Sequence, residues 1–277
     1  MTLVNGIPQE HIELSDRGFQ YGDGVFETIA VKQGHPTFLS RHLNRLSEGC
    51  NRLLIPAPCQ ELLQTEVKEL VTNSKNAILK IIITRGSGGR GYRQPDNINS
   101  TRVLSLHPFP EYPTVFKEQG ISIRFCNTRL GLNPTLARIK HLNRLEQIIA
   151  RAEWSDDQTQ EGLMLDINDN VIEGIMTNLF YVKNDIIYTS PLVFTGVAGI
   201  MRGIIIDLIN THSFKLILQD FKKADLLSAD EAFLCNSVIG IWPIKSIGST
   251  HYNIGLRTRQ LQHLLAQYEH EEIISHL

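Results

Sequence analysis

Cysteine is scarce in this chain: Cys50, Cys59, Cys126 and Cys235 are the full set among 277 residues. None lies in a Cys-x-x-Cys pair and no Cys/His spacing suggests zinc, so no metal site is expected and all four thiols read as reduced and structural. An excess of one charge is also lacking. Lys and Arg number 27 against 29 Asp and Glu, a formal net charge of -2, so no global field draws nucleic acid or anionic lipid. No apolar run approaches the length that crosses a bilayer. The opening "MTLVNGIPQE" has none of the basic, apolar and small-residue sections of a signal peptide. These absences point to a cytoplasmic protein with no nucleic-acid or membrane partner.

What is present is an ordinary globular composition, 42% apolar and 20% charged, in a chain long enough for one large domain or two modest ones. The first half reads as α/β. "LVNG" is a short strand ending in an Asn-Gly turn, and "GVFETIAV" and "HPTFL" are strands joined by "KQG". Ser40 is a plausible N-cap for a helix carrying Leu43, Leu46, Cys50, Leu53 and Leu54. A second helix fits "ELLQTEVKELV", and "ILKIIIT" and "TRVLSLH" are strands. Pro108, Pro110 and Pro113 then fall too close together for a helix or central strand. The expected organisation is a domain over 1–107, a linker over 108–116 and a second domain over 117–277. The second half reads as a meander of "GLMLDI", "VIEG", "LFYVK" and "IIYTS", then a helix from about Ile200 to Ile209, strands "EAFLCNS" and "IWPIKSI", and a closing helix.

"GSGGRG", Gly86 to Gly91, matches G-x-G-x-x-G after a strong strand. A dinucleotide turn must open a helix, whereas "YRQPDNINST" and another strand follow here. The better reading is a long loop carrying Arg90 and Tyr92. Arg90 then either offers a fork to a carboxylate or is a solvated surface charge. "HLNRL" occurs at 42–46 and again at 141–145, too short a match for a duplication.

Lys140 sits among Ile139, Leu142 and Ala137, just before a periodic stretch in which Leu142, Leu145, Ile148, Ile149 and Ala152 form an expected helical stripe. Burial among apolar groups disfavours a lysine's charge, and a neutral amine attacks an aldehyde. A pyridoxal-phosphate site needs such a lysine, an acid against the pyridine nitrogen and a phosphate cradle. Glu173 in "VIEGIMTN", the free amides of Ile200 and Met201 at a helix N-terminus, and Ser237 are candidates. Taken singly, each has a bland alternative: a solvated lysine, a turn glutamate, a plain connection.

The ordered set "DRGFQYGDGVFET", "RHLNRL", "TRGSGGRGY", "IKHLNRLEQ", "EGIMTNLF", "AGIMRG" and "CNSVIGIWPI" runs from residue 16 to residue 244. It resembles the fold-type IV pyridoxal-phosphate enzymes, the class-IV aminotransferase family. Within that family, "RGSGGRGY" and "IKHLNRLEQ" are close to the form in aminodeoxychorismate lyases of folate biosynthesis. The resemblance implies a two-domain α/β (α+β) fold, with a smaller N-terminal α/β domain and a larger C-terminal domain with a pseudo-barrel. It implies pyridoxal 5'-phosphate as cofactor, a small-molecule substrate and a homodimer. Lys140 would carry the cofactor, Glu173 would bond its pyridine nitrogen, and Arg45, Ile200, Met201 and Ser237 would hold its phosphate. Arg90 and Tyr92 would face the substrate carboxylate side. Thr28 matches a hydroxyl position that the lyases share and branched-chain aminotransferases fill with glycine. Glu27 stands where a lyase can carry threonine, and Leu145 where branched-chain aminotransferases carry tyrosine. The activity implied is conversion of 4-amino-4-deoxychorismate to 4-aminobenzoate and pyruvate. The alternative is transamination of D-amino or branched-chain amino acids.

Overall fold

The computed structural model describes residues 1–72 and 74–274. The chain forms two compact units. The first comprises Met1–Pro110 and Ile139–Asn143, with the chain from Glu272 on. It opens with β1 (Thr2–Val4), which turns through Asn5 (φ 53°) and Gly6 (φ 81°) into β2 (Ile7–Pro8), the expected Asn-Gly hairpin. A short helix that periodicity does not announce, α1 (Arg17–Tyr21), follows Asp16, whose carboxylate accepts from the Gly18 amide. β3 (Gly24–Lys32) then passes through Gln33 and Gly34, both at positive φ, into β4 (His35–Pro36). β4 is shorter than expected, because the chain turns at once and Phe38 takes a φ of 55°. α2 (Leu39–Arg52) has Phe38 as its N-cap with no side-chain bond, so Ser40 lies inside the helix rather than capping it. α3 (Gln60–Val71), β5 (Asn76–Thr84) and β6 (Thr101–Pro108) complete the unit.

Its six strands run antiparallel in the order β2-β1-β6-β5-β3-β4. One face packs Ile29, Leu79, Ile81 and Leu104 against Leu43, Leu46 and Cys50 of α2 and Leu63 and Val67 of α3. Each large side chain buried there contributes roughly 2 kcal/mol.

The second unit comprises Glu111–Arg138 and Arg144–Glu271. The division between Pro110 and Glu111 falls in the proline-rich stretch, and Pro113 is the N-cap of α4 (Thr114–Gln119). There follow β7 (Ile121–Leu130), α5 (Leu145–Arg151), β8 (Glu161–Asp166), β9 (Val171–Gly174), β10 (Asn178–Lys183) and β11 (Ile186–Thr189). Then come α6 (Ile200–Thr211), β12 (Leu216–Leu218), α7 (Lys223–Leu227), β13 (Glu231–Asn236), β14 (Gly240–Ile247), β15 (Thr250–His251) and α8 (Leu256–Ile274). The strands order as β12-β11-β10-β13-β14-β7-β8-β9, with β15 on β14. β9 also pairs back onto β10 through Glu173 and Asn178. The run from β10 to β9 therefore closes on itself, which is the expected pseudo-barrel, and closure removes the exposed edges an open sheet would present. Leu163, Leu165, Leu179, Leu234 and Ile244 are wholly buried in its core. No helix of the described residues is long and apolar enough to cross a membrane.

Candidate active site

Lys140 does not stand at the start of a helix. The segment Ile139–Asn143 is extended and lies along the first half of β3, with the Phe26 amide donating to Lys140 O at 2.9 Å and the Leu142 amide to Gly24 O at 2.9 Å. β4 pairs only with Val31 and Lys32, so that edge of β3 is open to the segment. These ladder bonds explain the failure of the expected helix: it begins only at Leu145 and ends at Arg151. The expected stripe fails with it. Leu145, Ile148 and Ile149 are exposed, while Gln147 and Ala150 face inward. The Lys140 Nζ lies 4.4 Å from the centroid of the Phe26 ring. Thr28 is two residues further along β3, so it shares Phe26's face of the strand, and it is half-buried.

Glu27 projects to the opposite face of β3, toward α2, and is fully buried. Arg45 donates to it twice, Nε to Oε1 at 2.7 Å and Nη2 to Oε2 at 2.6 Å, and His42 Nδ1 lies 2.6 Å from Oε2. α2 presents both partners because positions three apart lie on one helix face. Burial pushes the Glu27 carboxyl up, but Arg45 and His42 outweigh it and hold the group at about 2. Burial lowers His42, against the pull of Glu27. Arg45, the expected phosphate ligand, therefore has two of its donors fixed by Glu27. A guanidinium clamped in this way presents its remaining edge in one orientation.

Arg90 and Tyr92 lie on the loop between β5 and β6, both exposed. No helix follows the glycines, as expected. Gly86 has a φ of +81°, and a Cβ there would stand 1.9 Å from Asn99 O, so only glycine permits the loop to fold back on itself.

In the second unit, Glu173 is the penultimate residue of β9, at the barrel seam. Its Oε2 accepts from the Val197 amide at 2.8 Å and from Asn178 Nδ2 at 3.2 Å. Asn178 Nδ2 also donates to Val197 O at 2.9 Å. The loop before α6 is pinned in turn by Arg138, whose amide donates to Gly196 O at 2.8 Å and whose carbonyl accepts from Ala198. Gly196 has a φ of +88°, and a Cβ there would meet Leu192 at 2.7 Å and Ile172 at 2.9 Å. Gly199 is the N-cap of α6 and makes no side-chain cap bond, so the first-turn amides of Ile200 and Met201 keep no partner within the helix. Beside them Arg202 is buried, donates Nη2 to Ser190 O at 2.8 Å, and leaves Nε without a hydrogen-bond partner. Ser237 lies in the turn between β13 and β14, shaped by Asn236 Oδ1 accepting from the Val238 and Ile239 amides.

These residues fit the cofactor that the resemblance implies. Uncapped amides at a helix start suit a phosphate, and a buried carboxylate held by two donors suits a protonated ring nitrogen. Of the expected site residues, Thr28, Arg45, Arg90, Tyr92 and Lys140 belong to the first unit and Glu173, Ile200, Met201 and Ser237 to the second. Sequence reasoning missed Asn178, Val197 and the clamping role of Glu27. The one available signal was an acid at position 27 on the otherwise apolar buried face of β3.

Comparison with known proteins narrows the reading. The family model described as Amino-transferase class IV matches residues 24–247. An aminodeoxychorismate lyase of Vibrio harveyi is 38% identical over 267 residues, 95% of this chain and 98% of that protein. The crystal structure of 4-amino-4-deoxychorismate lyase from Pseudomonas aeruginosa is 43% identical, with a TM-score of 0.93 over 96% of this chain and 98% of that one. A D-alanine aminotransferase of Bacillus licheniformis is 27% identical over 89% of this chain and 88% of that protein. Fold, closed barrel and ordered motifs agree with these matches, and the chain belongs to the class IV aminotransferase family.

Proposed function

We propose that this chain is a pyridoxal-phosphate-dependent lyase that converts 4-amino-4-deoxychorismate to 4-aminobenzoate and pyruvate in folate biosynthesis. The observation that carries the reading is the near-full-length match to two lyases, well above the identity to the D-alanine aminotransferase. We further propose that it works as a cytoplasmic homodimer, by likeness to the family.

Bound pyridoxal phosphate supplies an electron sink for charge on the carbon that bears the substrate amine. Glu173 would keep the ring nitrogen protonated, with Asn178 and the Val197 amide orienting its carboxylate. Arg45, aimed by Glu27, would bind the phosphate, a role the family likeness also gives the Ile200 and Met201 amides and the Ser237 hydroxyl. Arg90 and Tyr92 face the substrate carboxylate. The Lys140 amine, which tethers the cofactor at rest, removes the C4 proton of the substrate. The C3–O bond breaks, its electron pair leaves with the enolpyruvate oxygen, and the ring becomes aromatic. The Lys140 ammonium returns a proton to that oxygen. Thr28, a poor lone acid at neutral pH, orients or relays that proton.

The test is direct. Purified protein is incubated with aminodeoxychorismate generated by its synthase, with no 2-oxo acid added. Equal amounts of 4-aminobenzoate and pyruvate are expected, and Lys140→Ala should yield neither. A strict requirement for a 2-oxo acid would instead establish the transaminase reading.

A further inference from the structure

Arg17 belongs to no role described so far, yet it is 4% exposed in a helix of five residues. An arginine is rarely buried so fully unless its charge and donors are used. Its Nε donates to Asp23 Oδ2 at 3.0 Å. Its Nη1 donates to Gly91 O at 2.9 Å. Its own backbone amide donates to Gly86 O at 2.9 Å. One residue thus holds the glycine-rich loop at both ends of the "GSGGRG" stretch. Gly91 is the residue between Arg90 and Tyr92. A second line of contact runs through rings: the Arg17 guanidinium stacks 4.9 Å from the Tyr21 centroid, and Tyr21 meets Tyr92 edge-to-face at 5.9 Å.

The surroundings show why arginine is used. Asp23 also receives Arg85, Nε to Oδ2 at 2.7 Å and Nη2 to Oδ1 at 3.0 Å. Arg85 spends its other bonds on the Leu53 and Leu54 carbonyls at the end of α2. Asp23 and Arg85 therefore form a rooted base, and Arg17 projects from that base to the loop. Asp16 completes the root: its side chain accepts from Thr84 Oγ1 at 2.8 Å, and its backbone bridges to Ser87. A lysine could keep the ion pair with Asp23, but it has no planar fork to reach Gly91 O in parallel and no flat face for Tyr21.

We propose that Arg17 is the positioning residue of the substrate-binding loop, setting the backbone of Gly91 and the ring of Tyr92 so that Arg90 and Tyr92 are presented together to the substrate. The inference rests on the reading of Arg90 and Tyr92 as substrate-facing groups. A purely structural arginine would instead support folding alone, and removing it would lower the amount of active enzyme without changing the KM of what remains.

The experiment uses the holoenzyme with Arg17→Lys and Tyr21→Leu, and reads two independent quantities. Trypsin cleavage after Arg90 and Arg93, followed by mass spectrometry, reports how firmly the loop is held whether or not the enzyme turns over. Arg17→Lys should be cut several-fold faster than the parent at those two sites, with an unchanged unfolding midpoint and unchanged cofactor absorbance. Its KM should rise about tenfold while kcat stays within about twofold, the pattern of lost substrate binding rather than lost chemistry. Tyr21→Leu leaves the ion pair intact and should raise KM about threefold, which keeps the test available if Arg17→Lys does not fold. Unchanged cleavage in the folded variants overturns the proposal, as does faster cleavage with unchanged KM. If the parent enzyme forms no 4-aminobenzoate, the lyase reading fails, and the cleavage rates still decide whether Arg17 anchors the loop.

Discussion

A single side chain on β3 divides the chemistry of this protein from its support. Thr28 faces the same way as Phe26, whose ring lies beneath the Lys140 amine, while Glu27 faces α2. Replacing Thr28 by Ala removes a hydroxyl from a half-buried position without opening the core. Turnover should fall about a hundredfold, the low end of what a positioned proton-transfer group contributes, with cofactor absorbance nearly unchanged. Stopped-flow formation of 4-aminobenzoate checks this, and an unchanged rate would remove Thr28 from the reaction. Gly196 makes a second case. Alanine there is strained at a φ of +88° and would press on Leu192 and Ile172, so Gly196→Ala should cost about 2 kcal/mol of stability in urea unfolding. Lys140 and Glu173 were singled out in the sequence through the ordered motifs around them, since each alone has a bland alternative. Asn178 and the Val197 amide were not, since an asparagine at the start of a strand and a backbone N–H carry no distinguishing pattern until the chain is folded.

The pairing of α2 with β3 places a fully buried carboxylate, its largely buried arginine partner and a buried histidine between two elements, and its consequence is a dependence on acid. Unfolded, His42 takes up a proton near its ordinary value of 6.5, which the folded ring resists. Unfolded, Glu27 takes up a proton near 4.5, while folded it waits until about 2. In both cases the unfolded chain binds protons first, so stability falls as pH falls. The loss begins below about 6.5 and steepens between 4.5 and about 2. Glu27→Gln should lower stability by about 2 kcal/mol at neutral pH, because the largely buried Arg45 loses the carboxylate that accepts two of its bonds. The same variant should flatten the acid slope below 4.5. Urea midpoints at neutral and acid pH measure both, and a slope equal to the parent's would assign the acid sensitivity elsewhere. Strands were the more legible elements, since β3, β5, β8 and β10 follow apolar and β-branched runs with turn residues at their ends. The segment around Lys140 misled because Leu142, Leu145 and Ile149 have helical spacing. The backbone bonds of Phe26 and Leu142 make it a β-bridge to Val25 instead, and those partners lie more than a hundred residues away in sequence.

The whole molecule is built from two units whose chain crosses between them more than once: Ile139–Asn143, with Lys140, returns to the first unit from within the second. A boundary drawn by proline content sees one crossing and has no means of seeing the return. Homodimer formation predicts a mass twice that of the chain by light scattering at micromolar concentration, and a single-chain mass would refute it. The closure of the barrel was legible only as four strand-like runs in a meander. The seam itself is one residue pair, Glu173 opposite Asn178. The carboxylate proposed to bond the cofactor's ring nitrogen is therefore also a fastener of the wall around it. An engineer who exchanges that acid to redirect the enzyme toward another outcome will loosen the container at the same stroke, unless the facing amide is redesigned with it.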